Sequence, residues 1–530
     1  MAQITNNKII WDKTDWIQGL NEQYGIESSN KPIGKSFNSV QAINPYRVIG
    51  YAMPGYLPAN LTNNSVVDSV IKKMVPFVSS RGNLEYGITS TRKLIETSAT
   101  EITNDTKFPH VVTYDSQDVT SLHDIIVYSS KVSSSGGTDP AYPRVFYSWN
   151  STTKFSWGVG MWARLGFDDA EFYDDFMKTR PATPLSVFPG SYQYPHPMIV
   201  GDDDLLYIGD GPRLHAFDGK YEGDDDGKFY NSVLTIPGTY YIKAFQKYKD
   251  FLLIFADENL SGTAYSSNVK VFFWDYLSLD PTYIMDLNDN LVTEAFTFQG
   301  KIGCFTSGRK YDTGLSNTGK IQLFTGTGFE PVIFFNDTLP VRGGVNVAAN
   351  QIRWNSSGKL YAFGNNVGLP QTLNIIGKGG GSTSGALSDS SGTLLMSSGT
   401  TTSGGLQSFS ANYDYSAYFH TTSVEPNFGT RKKGRVKRVK IIFGNTNAAT
   451  ADKLTVKLYY DRGGSNVTIA SGIAEITADT LVMQYEHDTS GNPLPDFESL
   501  SLRCEWGSGT IHTSTPWISS IEVEYETINA

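Results

Sequence analysis

Short apolar stretches separated by polar turns recur along the chain, and several of them share one order. Residues 205–209 (LLYIG) are followed by residues 214–219 (LHAFDG), a pattern typical of a strand, a short loop, a second strand and a turn. The same order is found at 125–129 with 146–150, at 252–256 with 271–275, and at 302–306 with 321–326. This self-similarity predicts a repeated β-sheet unit.

The spacing of the repeats indicates which repeat fold they build. They start at residues 125, 205, 252 and 302, with a fainter copy at 360, so the steps are 80, 47, 50 and 58 residues. Each unit continues into further extended stretches, and four strands per repeat are typical of a β-propeller blade. We therefore predict an all-β chain with a propeller of about six blades, with five or seven left open.

The 80-residue step contains an insertion at residues 166–196. Its acidic start, aromatic spacing and closing prolines predict one short helix over residues 168–178. We expect this helix either to cover a sheet edge or to contact a neighbouring subunit.

Residues 1–60 are rich in proline and glycine near their end, which excludes a long regular element there and predicts an extended N-terminal arm. Its large aromatic side chains should be buried either on its own propeller or on an adjacent subunit. They are Trp11, Trp16, Tyr46, Tyr51 and Tyr56.

The C-terminal part of the chain changes composition twice. Residues 378–405 are dominated by glycine and serine, which predicts a linker between the propeller, residues 61–377, and a separate C-terminal domain. Residues 406–530 return to short alternating strands and predict an antiparallel β-sandwich. We expect this sandwich to fold independently and to act as an attachment module.

Overall composition narrows the class of protein. The 530 residues carry a net charge of -10, so nothing attracts the whole chain to nucleic acid or to an anionic membrane. We find neither a long apolar span nor a secretory signal, and we expect synthesis in the cytoplasm and no membrane anchor. Cys304 and Cys504 are the only cysteines, and we expect two buried free thiols.

Motifs for catalysis are missing from the sequence. It has no G-x-S-x-G or H-E-x-x-H pattern, its seven histidines are scattered singly, and we interpret His215 as a packing residue. The acidic stretches 222–227 and 286–290 fit a calcium loop poorly. We therefore expect no catalytic, cofactor or metal site and no enzymatic activity.

Two kinds of binding site stay open. Sugars could stack on the tryptophans of the blade turns, although packing explains them better. These residues are Trp149, Trp157, Trp162 and Trp274. The strongest charge run could dock an acidic neighbour, bind nucleic acid or simply be solvated. It consists of Arg431, Lys432, Lys433, Arg435, Lys437, Arg438 and Lys440.

Three stretches of the sequence resemble a known family. They are INPYRVIGYAMPGYLP (residues 43–58), PHPMIVGDDDLLYIGDGPRLHAFDG (195–219) and FGTRKKGRVKRVKI (428–441). They resemble propeller-containing virion proteins of tailed bacteriophages, whose characterised architectural relatives are the tail nozzle, or tail tubular, proteins. The resemblance implies a virion structural subunit, often one of six around a tail channel, with other virion subunits as partners.

The Gly/Ser stretch and the sandwich depart from a plain nozzle, so a collar, neck or peripheral role stays open, as does a carbohydrate- or receptor-binding propeller on the virion surface. In a channel, acidic side chains would repel phosphate and let genomic DNA pass in passive contact. The candidate channel-facing acids are Asp202, Asp203, Asp204, Asp224, Asp225 and Asp226.

Overall fold

The computed structural model confirms an all-β chain. The structure describes residues 3–5, 7–12, 16, 37–41, 43–44, 52–79, 82–114, 117–130, 142–151, 156–165, 169–178, 194–218, 229–258, 268–307, 318–348, 350–364, 372–390, 392–400, 403–413, 417–421, 423–445, 448–460, 464–476, 478–507 and 517–529. In this part of the chain, two short 3-10 helices, Asn64–Val66 and Ala478–Thr480, lie among the strands. Within these described ranges, no helix has the length and apolarity needed to cross a membrane.

The N-terminal segment supplies strands to sheets formed by the far end of the chain. These strands are β1 (Gln3–Thr5), β2 (Lys8–Trp11), β3 (Phe37–Gln41) and β4 (Tyr56–Asn60). β1, β2 and β3 extend the sandwich, and β4 is the outermost strand of a blade. The predicted extended arm is therefore corrected, because β2, β3 and β4 pair with strands from the C-terminal half and β1 pairs with β2.

The two tryptophans of this segment are buried in a third place that we did not expect. Trp11 and Trp16 lie in the core of the sandwich, where Trp16 Nε1 donates a hydrogen bond to the Ser519 carbonyl at 2.8 Å. Tyr46 and Tyr51 are outside the described residues.

The described residues form a propeller of seven four-stranded antiparallel blades, one more than the central prediction and within its range. From the axis outward, blade 1 consists of β5 (Ile71–Ser79), β6 (Gly82–Thr89), β7 (Lys93–Thr97) and β8 (His110–Val111), and blade 2 of β11 (Ser121–Ser130), β12 (Tyr142–Ser151), β13 (Ser156–Leu165) and β14 (Asp169–Lys178). Blade 3 consists of β15 (Met198–Val200), β16 (Leu206–Asp210), β17 (Arg213–Phe217) and β18 (Phe229–Thr235). Blade 4 consists of β19 (Tyr241–Tyr248), β20 (Phe251–Asp257), β21 (Val269–Trp274) and β22 (Tyr283–Asp286). A small hairpin, β9 (Thr113–Tyr114) and β10 (Gln117–Asp118), lies between blades 1 and 2.

The remaining three blades complete the ring. They are β23 (Leu291–Phe298), β24 (Lys301–Ser307), β25 (Thr318–Phe324) and β26 (Phe329–Asn336); β27 (Val345–Ala348), β28 (Gln351–Ser356), β29 (Lys359–Gly364) and β30 (Thr372–Lys378); and β31 (Leu387–Ser390), β32 (Thr393–Thr400), β33 (Ser403–Tyr413) and β4. The ring is closed, because the Ala386 amide of blade 7 donates to the Ile71 carbonyl of blade 1 at 2.7 Å.

Blade 7 occupies the stretch that we predicted to be a linker. Residues 378–405 include β31, β32 and the start of β33, whose few apolar side chains, such as Leu395 and Met396, are buried. The glycines serve close packing instead of flexibility. A Cβ on Gly404 would lie 1.9 Å from the Ser69 carbonyl oxygen, so only glycine lets blade 7 approach blade 1.

The predicted helix over residues 168–178 is also wrong, since β14 runs from Asp169 to Lys178. It pairs with β13 in blade 2, from Leu165 with Asp169 to Gly158 with Lys178, with one register shift. Backbone pairing to a buried blade overrides the local helical preference of an acidic, aromatic segment.

The sandwich consists of two sheets. One has the order β1, β2, β41 (Ile518–Asn529), β35 (Lys432–Phe443) and β38 (Val482–Tyr485), with β39 (Asp496–Phe497) also on β35. The other has the order β3, β34 (Tyr418–Thr421), β40 (Leu500–Gly507), β36 (Ala448–Tyr460) and β37 (Ser465–Ile476). Cys304 in blade 5 and Cys504 in the sandwich are buried free thiols, as predicted.

The sandwich is packed against the propeller and is not joined to it by the predicted flexible linker. The Ile43 amide donates to the Ile375 carbonyl of blade 6 at 3.0 Å, and Ala52 exchanges backbone hydrogen bonds with Ile518. One buried apolar cluster runs from blades 5 and 6 into the sandwich. A fragment of residues 406–530 would lack β1, β2 and β3 and begin inside β33, so the predicted domain boundary is corrected and we no longer expect this fragment to fold independently.

Candidate docking surface

The predicted basic docking face is compensated by acids of its own sheet. Residues of β35 face carboxylates that lie about 60 to 90 positions away in the sequence. The pairs are Arg435–Asp496 at 2.7 Å, Lys437–Glu526 at 2.8 Å, Arg438–Glu524 at 2.6 Å and Lys440–Glu522 at 3.8 Å. We call these eight residues the ion-pair ladder. Each cation of the ladder faces one carboxylate, so residues 435–440 carry no excess positive charge, and that excess was the ground for expecting a docking face.

The ladder also shifts the pKa values of its members. A hydrogen bond from Arg435 lowers the pKa of Asp496, and hydrogen bonds from Lys8 and then Arg438 lower the pKa of Glu524. Lys433 lies 3.8 Å from Glu498. Arg431 and Lys432 lie beyond the ladder, where they line a mixed-charge cleft of about 380 Å³ with Phe428 and both Glu425 and Glu498.

Apolar side chains are exposed instead on blade 4, at the turn between β21 and β22. Leu277 and Leu279 are 89% and 86% exposed, so almost the whole of each side chain is in contact with water. Tyr283 and Ile284 on β22 follow at 54% and 45%. We call residues 274–282 the blade 4 hairpin, and the hairpin together with β22 the blade 4 surface.

Hydrogen bonds hold the hairpin in one conformation. Asp275 accepts from the Leu277 amide at 3.0 Å, the Ser278 amide at 2.7 Å and the Ser278 hydroxyl at 2.6 Å. These bonds, the hydroxyl first, lower the pKa of Asp275 to about 2. Trp274 Nε1 donates to the Ser278 carbonyl at 2.7 Å. The leucines are therefore displayed on a preorganised turn.

The hairpin leans on the predicted acidic turn of blade 3. Tyr276 packs against Tyr207 with ring centroids 5.7 Å apart, and Tyr207 donates to Asp203 at 2.6 Å. Asp202, Asp203 and Asp204 are exposed on the turn between β15 and β16, where Lys247 pairs with Asp202 at 2.8 Å. These three acids therefore lie beside the apolar hairpin. Their orientation toward a channel stays a prediction, and Asp224, Asp225 and Asp226 fall outside the described residues.

At one end, the propeller axis is filled by the turn that precedes β27. Arg342 of this turn forms an ion pair with Asp124 of blade 2 at 2.8 Å and donates to the Lys243 carbonyl of blade 4 at 2.6 Å. Gly343 donates to Glu294 of blade 5 at 2.6 Å and accepts from the Leu387 amide of blade 7 at 2.9 Å.

Gly343 is required at this place. Its φ is +81°, and a Cβ would lie 2.6 Å from the Cβ of Lys73 in blade 1. The turn donates hydrogen bonds to backbone carbonyls on the inner edges of the blades, which pair with no described strand. The polar groups near the axis are therefore hydrogen-bonded to one another.

The tryptophans considered for sugar stacking pack inside the blades. Trp149, Trp157, Trp162 and Trp274 are all buried, so their rings are closed to a sugar. His215 is a buried packing residue, as interpreted from the sequence, stacked on Phe229 at 5.3 Å. It lies 3.6 Å from Asp210, which also faces His196 at 3.8 Å.

Burial lowers the pKa of His196 to about 4, which keeps this imidazole neutral at neutral pH. Among the described residues, no group of three His, Cys, Asp or Glu side chains has metal-binding geometry. In the acidic stretch 286–290, Asp286 accepts from the Asn288 amide at 2.7 Å and Asp289 pairs with Lys320 at 2.6 Å. The stretch 222–227 is outside the described residues.

Comparisons with known proteins find similarity only at the level of fold. No protein-family model and no curated protein matches the chain. The WD40 domain of Pan2 from Neurospora crassa is 9% identical, with a TM-score of 0.39 over 67% of this chain and 89% of that one. An exo-β-1,3-galactanase from Phanerochaete chrysosporium is 11% identical, with a TM-score of 0.33 over 88% of this chain and 99% of that one.

The computationally designed Ika8 protein is 10% identical, with a TM-score of 0.37 over 68% of this chain and all of that one. At these scores the matches describe a similar arrangement of strands and assign no activity. The expectation that the chain is not an enzyme is nevertheless corrected, because glycoside hydrolases are among the matched structures and the arrangement does not exclude catalysis.

Proposed function

We propose that the chain is a structural subunit that joins a larger assembly through the blade 4 surface. The single observation that carries this proposal is the exposure of Leu277 and Leu279 at 89% and 86% on a hydrogen-bonded turn. A rigid turn loses little conformational freedom when a partner covers it. Most of the free energy gained by burying the leucines is therefore available for binding.

The assembly that the sequence favours is the virion of a tailed bacteriophage, with other virion subunits as partners. Support comes from the three resembling stretches, two of which fall at structural junctions. Residues 43–58 lead from the sandwich into β4, and residues 195–219 contain the acidic turn beside the blade 4 hairpin. A position in the tail or neck, a ring of several copies and passive contact with DNA belong to the same proposal.

Binding of a sugar is a second candidate function, and it would use the sandwich because the propeller tryptophans are buried. On the outer face of the sheet, Arg503 lies over the Tyr418 ring at 4.5 Å, and the His420 and Tyr459 rings are 4.6 Å apart. Half-buried aromatic rings beside charged donors are the groups that stack on and hydrogen-bond to a sugar. Glycan-array binding that is lost in Tyr459→Ala would support this candidate.

The experiment for the first proposal compares particles assembled with wild-type and Leu277→Ser/Leu279→Ser chains. Burial of one leucine contributes about 1.5–3 kcal/mol, so the double variant should be incorporated at least about 100-fold less. Val482→Ser is the matched control, since Val482 is an exposed apolar residue of the sandwich. Copy number by mass spectrometry is the readout. Normal incorporation of the double variant, or absence of the wild-type chain from particles, would contradict the proposal.

A further inference from the structure

We propose that the partner binds blade 4 by strand addition: an extended, cationic segment of the partner pairs with β22 as a fifth strand. This inference rests on the proposed function, because it uses the blade 4 surface as the contact site. It adds the mode of binding and the chemistry of the partner. The contacts of the seven outermost strands carry the argument.

Among the seven outermost strands, β22 is the one that pairs with its neighbour over more than two residues in an uninterrupted register. The pairing of the outermost strand is interrupted by a register shift in blades 2, 3, 5, 6 and 7. In blade 1 the outermost strand has only two residues. Bulges and very short strands are the features that stop another chain from pairing with a sheet edge. β22 has four paired residues in continuous register and neither protection.

The alternation of hydrogen bonds identifies which backbone groups face outward. The Leu287 amide donates to the Val269 carbonyl at 3.0 Å, so odd-numbered residues of this strand direct their backbone groups toward β21. Ile284 lies between two such positions, and its N–H and C=O therefore point away from β21, to the edge on which no described strand pairs. A strand that pairs here would gain backbone hydrogen bonds without breaking any within the blade.

The side chains around this edge set the chemistry of the partner. Tyr283 packs against Phe273 with ring centroids 5.5 Å apart, and Ile284 projects on the opposite face of the strand. Both remain about half exposed, so the added strand should carry apolar residues at alternating positions.

Charge points to a cationic segment. Residues 271–300 contain no lysine or arginine, and Asp280 precedes β22 while Asp286 ends it. Lys270 of β21 lies opposite Asp286, but its ammonium group is over the Tyr240 ring, 5.1 Å from the centroid. Asp280 and Asp286 are both exposed, and Asp202, Asp203 and Asp204 are exposed on the blade 3 turn that the blade 4 hairpin contacts through Tyr276. Lys or Arg at the ends of the added segment would meet Asp280 and Asp286, which favours this register and a fast encounter.

A direct test uses two synthetic peptides that differ only in charge. The probes are fluorescein-labelled Lys-Val-Thr-Val-Thr-Lys and Glu-Val-Thr-Val-Thr-Glu, each acetylated and amidated, titrated into the full-length chain and followed by anisotropy. We expect the Lys peptide to bind at least 10-fold more tightly than the Glu peptide. Hydrogen–deuterium exchange of residues 283–286 should slow when the Lys peptide is bound. Equal binding of both peptides, or no binding of either, would overturn the inference.

The variants separate strand pairing from simple apolar contact. Ile284→Pro removes an outward N–H without removing a bond of the blade, whereas the control Ile284→Thr keeps the N–H and loses apolar area. We expect a loss of at least 10-fold in Lys-peptide affinity for Ile284→Pro and about 3-fold for Ile284→Thr. An unchanged melting temperature shows that the blade is folded. Similar affinities of the two variants would overturn strand pairing.

Particle incorporation distinguishes failure of this inference from failure of the proposed function. If Leu277→Ser/Leu279→Ser is excluded from particles while Ile284→Pro is incorporated like wild type, the docking surface stands and strand addition is wrong. If both variants are incorporated normally, both proposals are wrong. Exclusion of both, together with incorporation of Ile284→Thr, is the result that strand addition predicts.

Discussion

The ion-pair ladder and the blade 4 hairpin teach opposite lessons about surface residues. The ladder is a dense charge run in the sequence, yet Glu522, Glu524 and Glu526 of β41 lie opposite its cations. The hairpin, WDYLSLDPT, looks like any blade turn in the sequence, yet no described residue covers its leucines, which stay exposed to water. A surface side chain can contribute to binding a partner only where the fold of its own chain leaves its charge unpaired or its apolar surface exposed to water.

The largest expected effect is a loss of assembly without a loss of folding stability. Leu277→Ser/Leu279→Ser should change the melting temperature by less than about 1 °C, because both side chains are already exposed in the folded chain. The same variant should reduce incorporation by about 100-fold. Calorimetry and particle mass spectrometry check the two halves. A large drop in melting temperature would show that the hairpin serves the fold.

The second-largest expected effect is that salt distinguishes docking by the blade 4 surface from docking by the ion-pair ladder. Raising the ionic strength from 0.1 to 1 M shortens the screening length from about 10 to 3 Å, which weakens exposed ion pairs but strengthens apolar burial. We expect assembly of the wild-type chain to survive 1 M salt with at most about a 5-fold loss. Light scattering of assembling particles is the measurement. Abolition of assembly by salt would show that charge contacts, at the basic strand or at the blade 4 acids, carry docking instead of the leucines.

A smaller effect is expected within the ladder. Glu524 pairs with both Lys8 and Arg438, so Glu524→Gln removes two contacts between neighbouring strands. Partly exposed pairs contribute about 0–1 kcal/mol each, which predicts a melting temperature lower by no more than about 2 °C. Incorporation should stay normal, and a marked loss of incorporation would mean that the ladder contacts a partner.

The smallest effect is a difference in acid sensitivity. The folded-state pKa values of Glu524 and Asp275 are both lowered, so each contributes stability above its unfolded pKa and loses it as pH falls through the folded value. The contribution of Glu524 should begin to fall below about pH 4.5 and that of Asp275 only below about pH 3.9, continuing to about pH 2. Melting of wild type, Glu524→Gln and Asp275→Asn from pH 7 to 3 checks the order. The reverse order would contradict the assigned contacts.

Much of the fold could be predicted from the sequence, and the errors have physical causes. Blades 2 to 6 repeat strands that are buried on both faces, which gives a clear apolar pattern. Blade 7 was missed because close backbone approach at positions such as Gly404 needs glycine, and glycine-rich composition suggests flexibility. β14 was mistaken for a helix because its pairing with β13 is not local.

The candidate site was harder to predict than the fold. The alternation in residues 521–526, IEVEYE, predicts one acidic face, and this signal could have identified the ladder. The exposure of Leu277 and Leu279 has no counterpart in the local pattern. It depends on the turn that Asp275 holds and on the absence of a covering strand outside β22 among the described residues, and both are properties of the folded blade.

The most direct test of the central claim places a photo-crosslinking amino acid at position 279 or, in a separate protein, at position 437 of the ladder, and illuminates assembled particles. The blade 4 surface should be covered by a partner, so position 279 should crosslink to another polypeptide with high yield. Position 437 should give none above background. Crosslinks from position 437 without any from position 279 would contradict the account.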